Sequence, residues 1–154
     1  MENYHPSVKE LWQKFIDSNP GYSNSTYKAW YFCDTEKCAN ELAKLVCDGI
    51  KKATASLYYW YESGKEVLPL ADDINIITDW DGIALCVIKT KKVTVLPFKE
   101  VNSEMAFTEG EGDKSLDYWR KAHISFFGRE AVSEKIEFNE DTMIVFEEFE
   151  MIYK

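Results

Sequence analysis

Apolar positions near the start of the chain recur at helical spacing. Val8, Leu11, Trp12 and Phe15 line one side of "HPSVKELWQKFIDSNPG", which predicts a helix that Pro6 opens and Asn19, Pro20 and Gly21 stop. A polar loop follows, then a short extended piece over Ala29–Phe32. The stretch "DTEKCANELAKLVCDG" returns to helical period, with Cys38, Leu42, Leu45 and Val46 as its apolar face. Asp34 or Thr35 is its N-cap, and Gly49 its left-handed C-terminal residue. Beyond residue 50 the period shortens to two. "ATASLYYWY" starts extended, "SGKEVLPLADD" is a loop, and "INIITDWDGIALCVIKTKKVTVLPF" reads as a β-meander turning at "DWDG". The second arm of the meander is long enough to bend or bulge. "KEVNSEMAFTEGEGDKS" is a polar connector. "SLDYWRKAHISFFG" is a third helix with Leu116, Trp119, His123 and Phe126 or Phe127 on one side and Gly128 as its end. "TMIVFEEFEMIYK" closes the chain as a strand. The pattern predicts one α+β domain over residues 1–154, with residues 1–26 as a helix and loop packed on the rest.

Composition adds two constraints. Aromatic residues make up 15% of the chain, with nine Phe, nine Tyr and five Trp, enough for a core and for the walls of a stacking pocket. Net charge is −9, from 27 acidic against 18 basic residues. Affinity for nucleic acid rests mostly on neutralising phosphates with Lys and Arg, so a chain this acidic favours a small neutral ligand over a long polyanion. No stretch approaches 18 apolar residues and the N-terminus lacks a signal-type apolar core, so the expectation is a cytoplasmic protein without a membrane partner. Cys33, Cys38, Cys47 and Cys86 form no zinc spacing, which predicts reduced thiols and no metal.

The chemistry-bearing residues cluster around "GIKKATASLYYWYE", residues 49–62. In a regular strand Lys51 and Thr54 point to opposite faces, so they converge only if the chain turns between them. Lys51 after a helix C-terminus also complements the helix dipole. Of the run Tyr58–Tyr61, a strand would expose alternate rings, and one or two could stack on a pyrimidine for roughly 1–3 kcal/mol per base. Arg120 and His123 lie three apart and share a helical face.

"GIKKAT", taken with "AWYF", "VTVLPFKEV", "AFTEGEGDKSLDYWRKAHISFF" and the last strand, resembles the ASCH domain family over roughly residues 27–152. The family signature of a Gly, a Lys two residues on and a Thr three further falls here on Gly49, Lys51 and Thr54. The resemblance implies a PUA-like mixed β-barrel of about five to six strands with flanking helices. It also implies one of two functions. Some bacterial members are amidohydrolases that remove the acyl group from N4-acylated cytosine or cytidine with a Lys, Thr and Glu constellation, which maps to Lys51, Thr54 and Glu109, with Glu111 the neighbouring alternative. The other is an RNA-binding module, non-catalytic or weakly ribonucleolytic. In the hydrolase reading Thr54 is the nucleophile. Lys51 is the base if desolvated and neutral, or the oxyanion stabiliser if charged. With Lys51 charged, Glu109 is the base and later the acid that protonates the leaving amine. Ser56, Tyr58, Tyr59, Glu111, Arg120 and His123 are the candidate substrate-binding residues, the partner is a nucleoside or nucleobase with RNA as the alternative, and the chemistry needs no cofactor.

Overall fold

A computed structural model describes residues 2–154. Helix α1 (Pro6–Ser18) starts where the His5 ring nitrogen accepts from the Ser7 backbone N–H. It buries Val8, Trp12 and Phe15 against Ile74, Ile76 and Val87. Strand β1 (Lys28–Trp30) leads to α2 (Glu36–Cys47), whose N-cap is Thr35, accepting from the Cys38 N–H. The deepest residues of α2 are Ala39, Ala43 and Val46, whereas Cys38, Leu42 and Leu45 are half-buried. The small alanines let the helix sit close over Ile77, Cys86, Ile88 and Phe149. The exit from α2 is a Schellman turn. Gly49 has φ +72°, its N–H donates to the Val46 carbonyl, and the Ile50 N–H donates to Leu45.

Strand β2 (Ala53–Leu57) follows, then a single helical turn, α3 (Tyr59–Glu62). Strands β3 (Ile74–Thr78) and β4 (Ala84–Pro97) form the expected meander, and β5 (Met143–Tyr153) closes the sheet. The five strands run β1-β3-β4-β5-β2, with β1 parallel to β3 and the other pairs antiparallel. Register shifts within the 14-residue β4, at Val87/Ile88 and Thr90/Lys92, let the sheet curl into a half-barrel with β1 and β2 as its edges. All five residues of β3 are buried, because α1 covers Ile74 and Ile76 while Ile77 lies under α2.

One expected loop, one expected helix end and one expected strand continuation differ. The polar connector contains α4 (Ser103–Glu109), capped by Asn102 at its start and by Gly110 at φ +71° at its end. The third helix, α5 (Leu116–Glu134), runs through Gly128 for another turn and a half. Its buried face of Trp119, His123, Phe127 and Ala131 continues past the glycine, and that burial outweighs the ~1 kcal/mol propensity penalty of Gly in a helix. The aromatic run leaves the strand at Tyr58 and turns into α3, so its rings do not alternate across a sheet.

The two glycines make opposite predictions. A Cβ on Gly128 meets nothing within 4 Å, so Gly128→Ala raises stability by about 0.5–1 kcal/mol. A Cβ on Gly110 would lie 2.4 Å from the Ile50 carbonyl oxygen at a positive φ, so Gly110→Ala lowers stability. Urea unfolding midpoints that move together, or in the reverse senses, contradict this assignment.

Candidate functional site

Burial alternates without a break from Lys51 to Leu57, and that alternation sorts the motif. Ala53, Ala55 and Leu57 point into the core beneath α5. Lys51 is on the buried side as well, 2% exposed. Thr54 and Ser56 point the other way, into an open cleft.

An ammonium buried this deeply needs compensating charge. Lys51 Nζ donates to Glu109 Oε2 at 3.2 Å and to Glu111 Oε1 at 2.8 Å. It also lies 5.2 Å from the centre of the Phe32 ring. Glu109, the last residue of α4, is completely buried. His123 from α5 meets Glu109 Oε2 through Nε2 at 3.4 Å, stacks on Trp119 at 4.0 Å, and has Nδ1 2.8 Å from the Trp119 carbonyl. A carbonyl only accepts, so Nδ1 carries a proton, and Nε2 facing a carboxylate favours a second. Glu109 Oε1 and the Trp119 indole nitrogen are buried without a well-formed hydrogen bond, yet the indole N–H is near enough to help hold the carboxylate ionised.

The charges support one another. Burial would raise the Glu109 pKa, but Lys51 and then His123 hold it well below the ordinary carboxylate range. Burial would lower the Lys51 pKa, but Glu111 and Glu109 raise it. His123 is likewise pushed down by burial and, on balance, up by Glu109. With both cations protonated, two positive charges meet two negative ones. Glu109, Glu111 and His123 also offer ligand atoms within 4.8 Å of one another, the spacing of a metal site. The Lys51 ammonium already touches both carboxylates, however, and supplies the positive charge that a metal would bring.

The cleft is a different environment. It encloses about 1370 Å³ between the β1 and β2 edges and the segment 65–73. Tyr27, Trp30, Tyr31 and Tyr61 supply aromatic walls, and Asn75, Thr54, Ser56 and Glu147 supply polar groups. Trp30 Nε1 donates to Asn75 Oδ1 at 2.9 Å, and Ser56 Oγ shares a 2.8 Å hydrogen bond with the Tyr61 hydroxyl. Among the described residues no protein group hydrogen-bonds the Thr54 hydroxyl. Glu2, Glu66, Asp72, Asp73 and Glu147 line the cleft against Lys28, Lys65 and Lys89, five carboxyl groups to three ammoniums.

The structure therefore gathers Lys51, Glu109, Glu111 and His123, and leaves Thr54 and Ser56 apart from them. The two environments adjoin through aromatic contacts: Phe32, beside Lys51, packs edge-on against Trp30 at 4.8 Å. Tyr58 and Tyr59 do not line the cleft, because the turn into α3 carries them away from it and brings Tyr61 to it. Tyr59 donates to Glu134 on α5 instead. Arg120 pairs with Glu140 and lies over the Phe98 ring at 4.9 Å, outside both environments. Tyr61 belongs to the aromatic run in which one or two rings were expected to stack on a ligand, whereas Asn75 and Glu147 went unnoticed in the sequence. Glu147 sits in an alternating acidic strand, "VFEEFE", where the buried carboxylate looks the same as its solvated neighbours.

Comparison with known proteins gives a consistent result. A family model described as ASCH domain matches residues 28–153. The crystal structure of an ASCH domain from Lactobacillus crispatus JV V101 superposes with a TM-score of 0.93 at 34% identity, covering 100% of this chain and 99% of that one. A protein of Enterococcus faecalis V583 superposes with a TM-score of 0.85 at 32% identity, covering 96% and 88%. No curated protein matches significantly.

The charge cluster fixes a pH window. The raised His123 pKa contributes stability that is complete below about pH 6.5 and lost as pH rises through its folded pKa. The lowered Glu109 pKa contributes stability that is present above about pH 4.3 and lost as pH falls through its folded pKa. In an NMR titration His123 titrates above about pH 6.5, and Glu109→Gln lowers its midpoint. A wild-type midpoint below that value, or one indifferent to the substitution, refutes the assignment. Lys51→Met leaves two carboxylates with His123 as their one remaining cation in the cluster and costs about 3–5 kcal/mol, read from urea unfolding.

Proposed function

The chain belongs to the ASCH domain family, and from that premise we propose that it is a hydrolase removing the acyl group from N4-acylated cytosine nucleosides, with the cleft as its binding site. The observation that carries this reading is the Thr54 hydroxyl, which has no hydrogen-bond partner among the described residues and faces an aromatic-walled cleft with polar groups beside it. An aromatic wall suits a pyrimidine ring, and hydrogen-bonding groups at its edge suit exocyclic substituents. The excess of carboxyl groups favours a neutral nucleoside over a phosphate chain, whose charge it repels.

In this reading Thr54 attacks the acyl carbon. Lys51 and Glu109, the other two members of the expected constellation, act from behind the strand. Their ion pair anchors the chain three residues before Thr54 and so fixes where its hydroxyl stands. Incubation with N4-acetylcytidine releases cytidine, and Thr54→Ala lowers kcat/KM by at least ~100-fold. A variant as active as the wild type, or no release by either, overturns the proposal. Tight binding of single-stranded RNA with a steep salt dependence would instead favour the RNA-binding alternative.

A further inference from the structure

Thr54 and Glu147 are register partners across the β2–β5 pair. Directly opposed residues of an antiparallel pair carry their side chains on the same face, with Cβ atoms about 4.5–5.5 Å apart. Both line the cleft. Glu147 is only 7% exposed, and its Oε2 accepts from the Thr90 hydroxyl at 2.9 Å. Its Oε1 takes part in none of the hydrogen bonds among the described residues, and it is not sealed off from solvent. Farther round the cleft, on β3 with β4 between it and β5, Asn75 is 8% exposed and its side-chain oxygen accepts from Trp30. A buried carboxyl and a hydroxyl with no hydrogen-bond partner among the described residues thus stand side by side on adjacent strands, and the buried Lys51 cluster accounts for neither.

We propose that Glu147 is a catalytic residue that takes the Thr54 proton and returns it to the leaving amine; this rests on the hydrolase reading above. The Thr54 oxygen bonds to the acyl carbon as its proton passes to the Glu147 carboxylate and the carbonyl electron pair moves onto oxygen. Collapse of the tetrahedral intermediate breaks the bond from carbon to N4, and the Glu147 proton goes to the departing amine. Water then cleaves the Thr54 ester with Glu147 as base, releasing the carboxylic acid and restoring both groups. The overall change is amide plus water to acid plus amine.

The surroundings suit such a shuttle. Burial raises the Glu147 pKa, the Thr90 hydrogen bond opposes the rise, and the charge of Asp73 adds to it. A carboxyl shifted towards neutrality works well as both base and acid. The charged and titratable groups facing the cleft around it are Asp72, Asp73 and Lys89 on the β3–β4 side, and Tyr61, Lys65 and Glu66 after β2. Lys28 on β1 and Glu2 complete the rim.

The experiment compares the full-length wild type, Glu147→Gln, Thr54→Ala and Thr90→Val on N4-acetylcytidine across pH 4–9. Binding is read separately from tryptophan fluorescence. Wild-type kcat rises with pH through the ionisation of Glu147. Glu147→Gln lowers kcat by about 100-fold or more, abolishes that rise and changes binding by less than about threefold. Thr90→Val, which keeps the carboxylate but frees it from its hydroxyl partner, shifts the midpoint of the rise, while Thr90→Ser restores it. If the wild type turns over and Glu147→Gln keeps its rate and pH profile, the role of Glu147 is overturned and the hydrolase reading stands. If Glu147→Gln fails to fold, an unshifted profile in Thr90→Val overturns it equally. No turnover by the wild type overturns both.

Discussion

A positive charge buried at Lys51 is the constraint on which the rest of the structure depends. Removing an ammonium from water costs several kcal/mol even after relaxation, and the chain meets that cost with two carboxylates and an imidazole from distant segments. Glu109 is 58 residues away along the chain and Glu111 is 60. To bring them in, α4 has to end against the exit from α2, and Gly110 has to pass so close to the Ile50 carbonyl that no side chain fits there. His123 and Trp119 then close the cluster from α5. The end of α2, the start of β2, α4 and α5 therefore meet around one charge. Misplacing any of them would strand an ion in a medium that cannot solvate it.

The same motif serves two environments because a strand alternates. From Lys51 to Leu57 the odd-numbered residues enter the interior, while Thr54 and Ser56 face the cleft. The ion cluster stabilises the strand from one side, while Thr54 and Ser56 face a solvent-filled space on the other. The charges that hold β2 are sealed away, and on the open face the Thr54 hydroxyl has no hydrogen-bond partner among the described residues. The cleft's own carboxyl group comes from β5, the strand that pairs with β2 along its whole length.

Where local periodicity was strong, the sequence was informative. The stripe of Val8, Trp12 and Phe15, the Thr35 cap, the Gly49 exit and the long second arm of the meander all follow from short-range rules, and each appears in the structure. Where long-range packing overrides local propensity, it was not. Gly128 looks like a helix end, yet Phe127 and Ala131 keep α5 going because both are buried. The acidic connector looks like loop, yet it holds a short helix whose terminal Glu109 is paired with a lysine 58 residues earlier. Tyr58 and Tyr59 look like an alternating pocket wall, but the turn into α3 sends the Tyr59 hydroxyl to Glu134 instead.

The amino-acid sequence by itself determined most helices and strands and the family resemblance, and through that resemblance it singled out Lys51 with Glu109 or Glu111, because helix caps, strand alternation and motif spacing are properties of neighbouring residues. Only the tertiary structure decided which face each partner occupies. Whether a carboxylate is solvated or buried, and whether Thr54 looks towards Lys51 or towards Glu147, depends on which strands pair and in what register. Those pairings join residues far apart in the chain, and the free energy that selects them comes from contacts no local window contains.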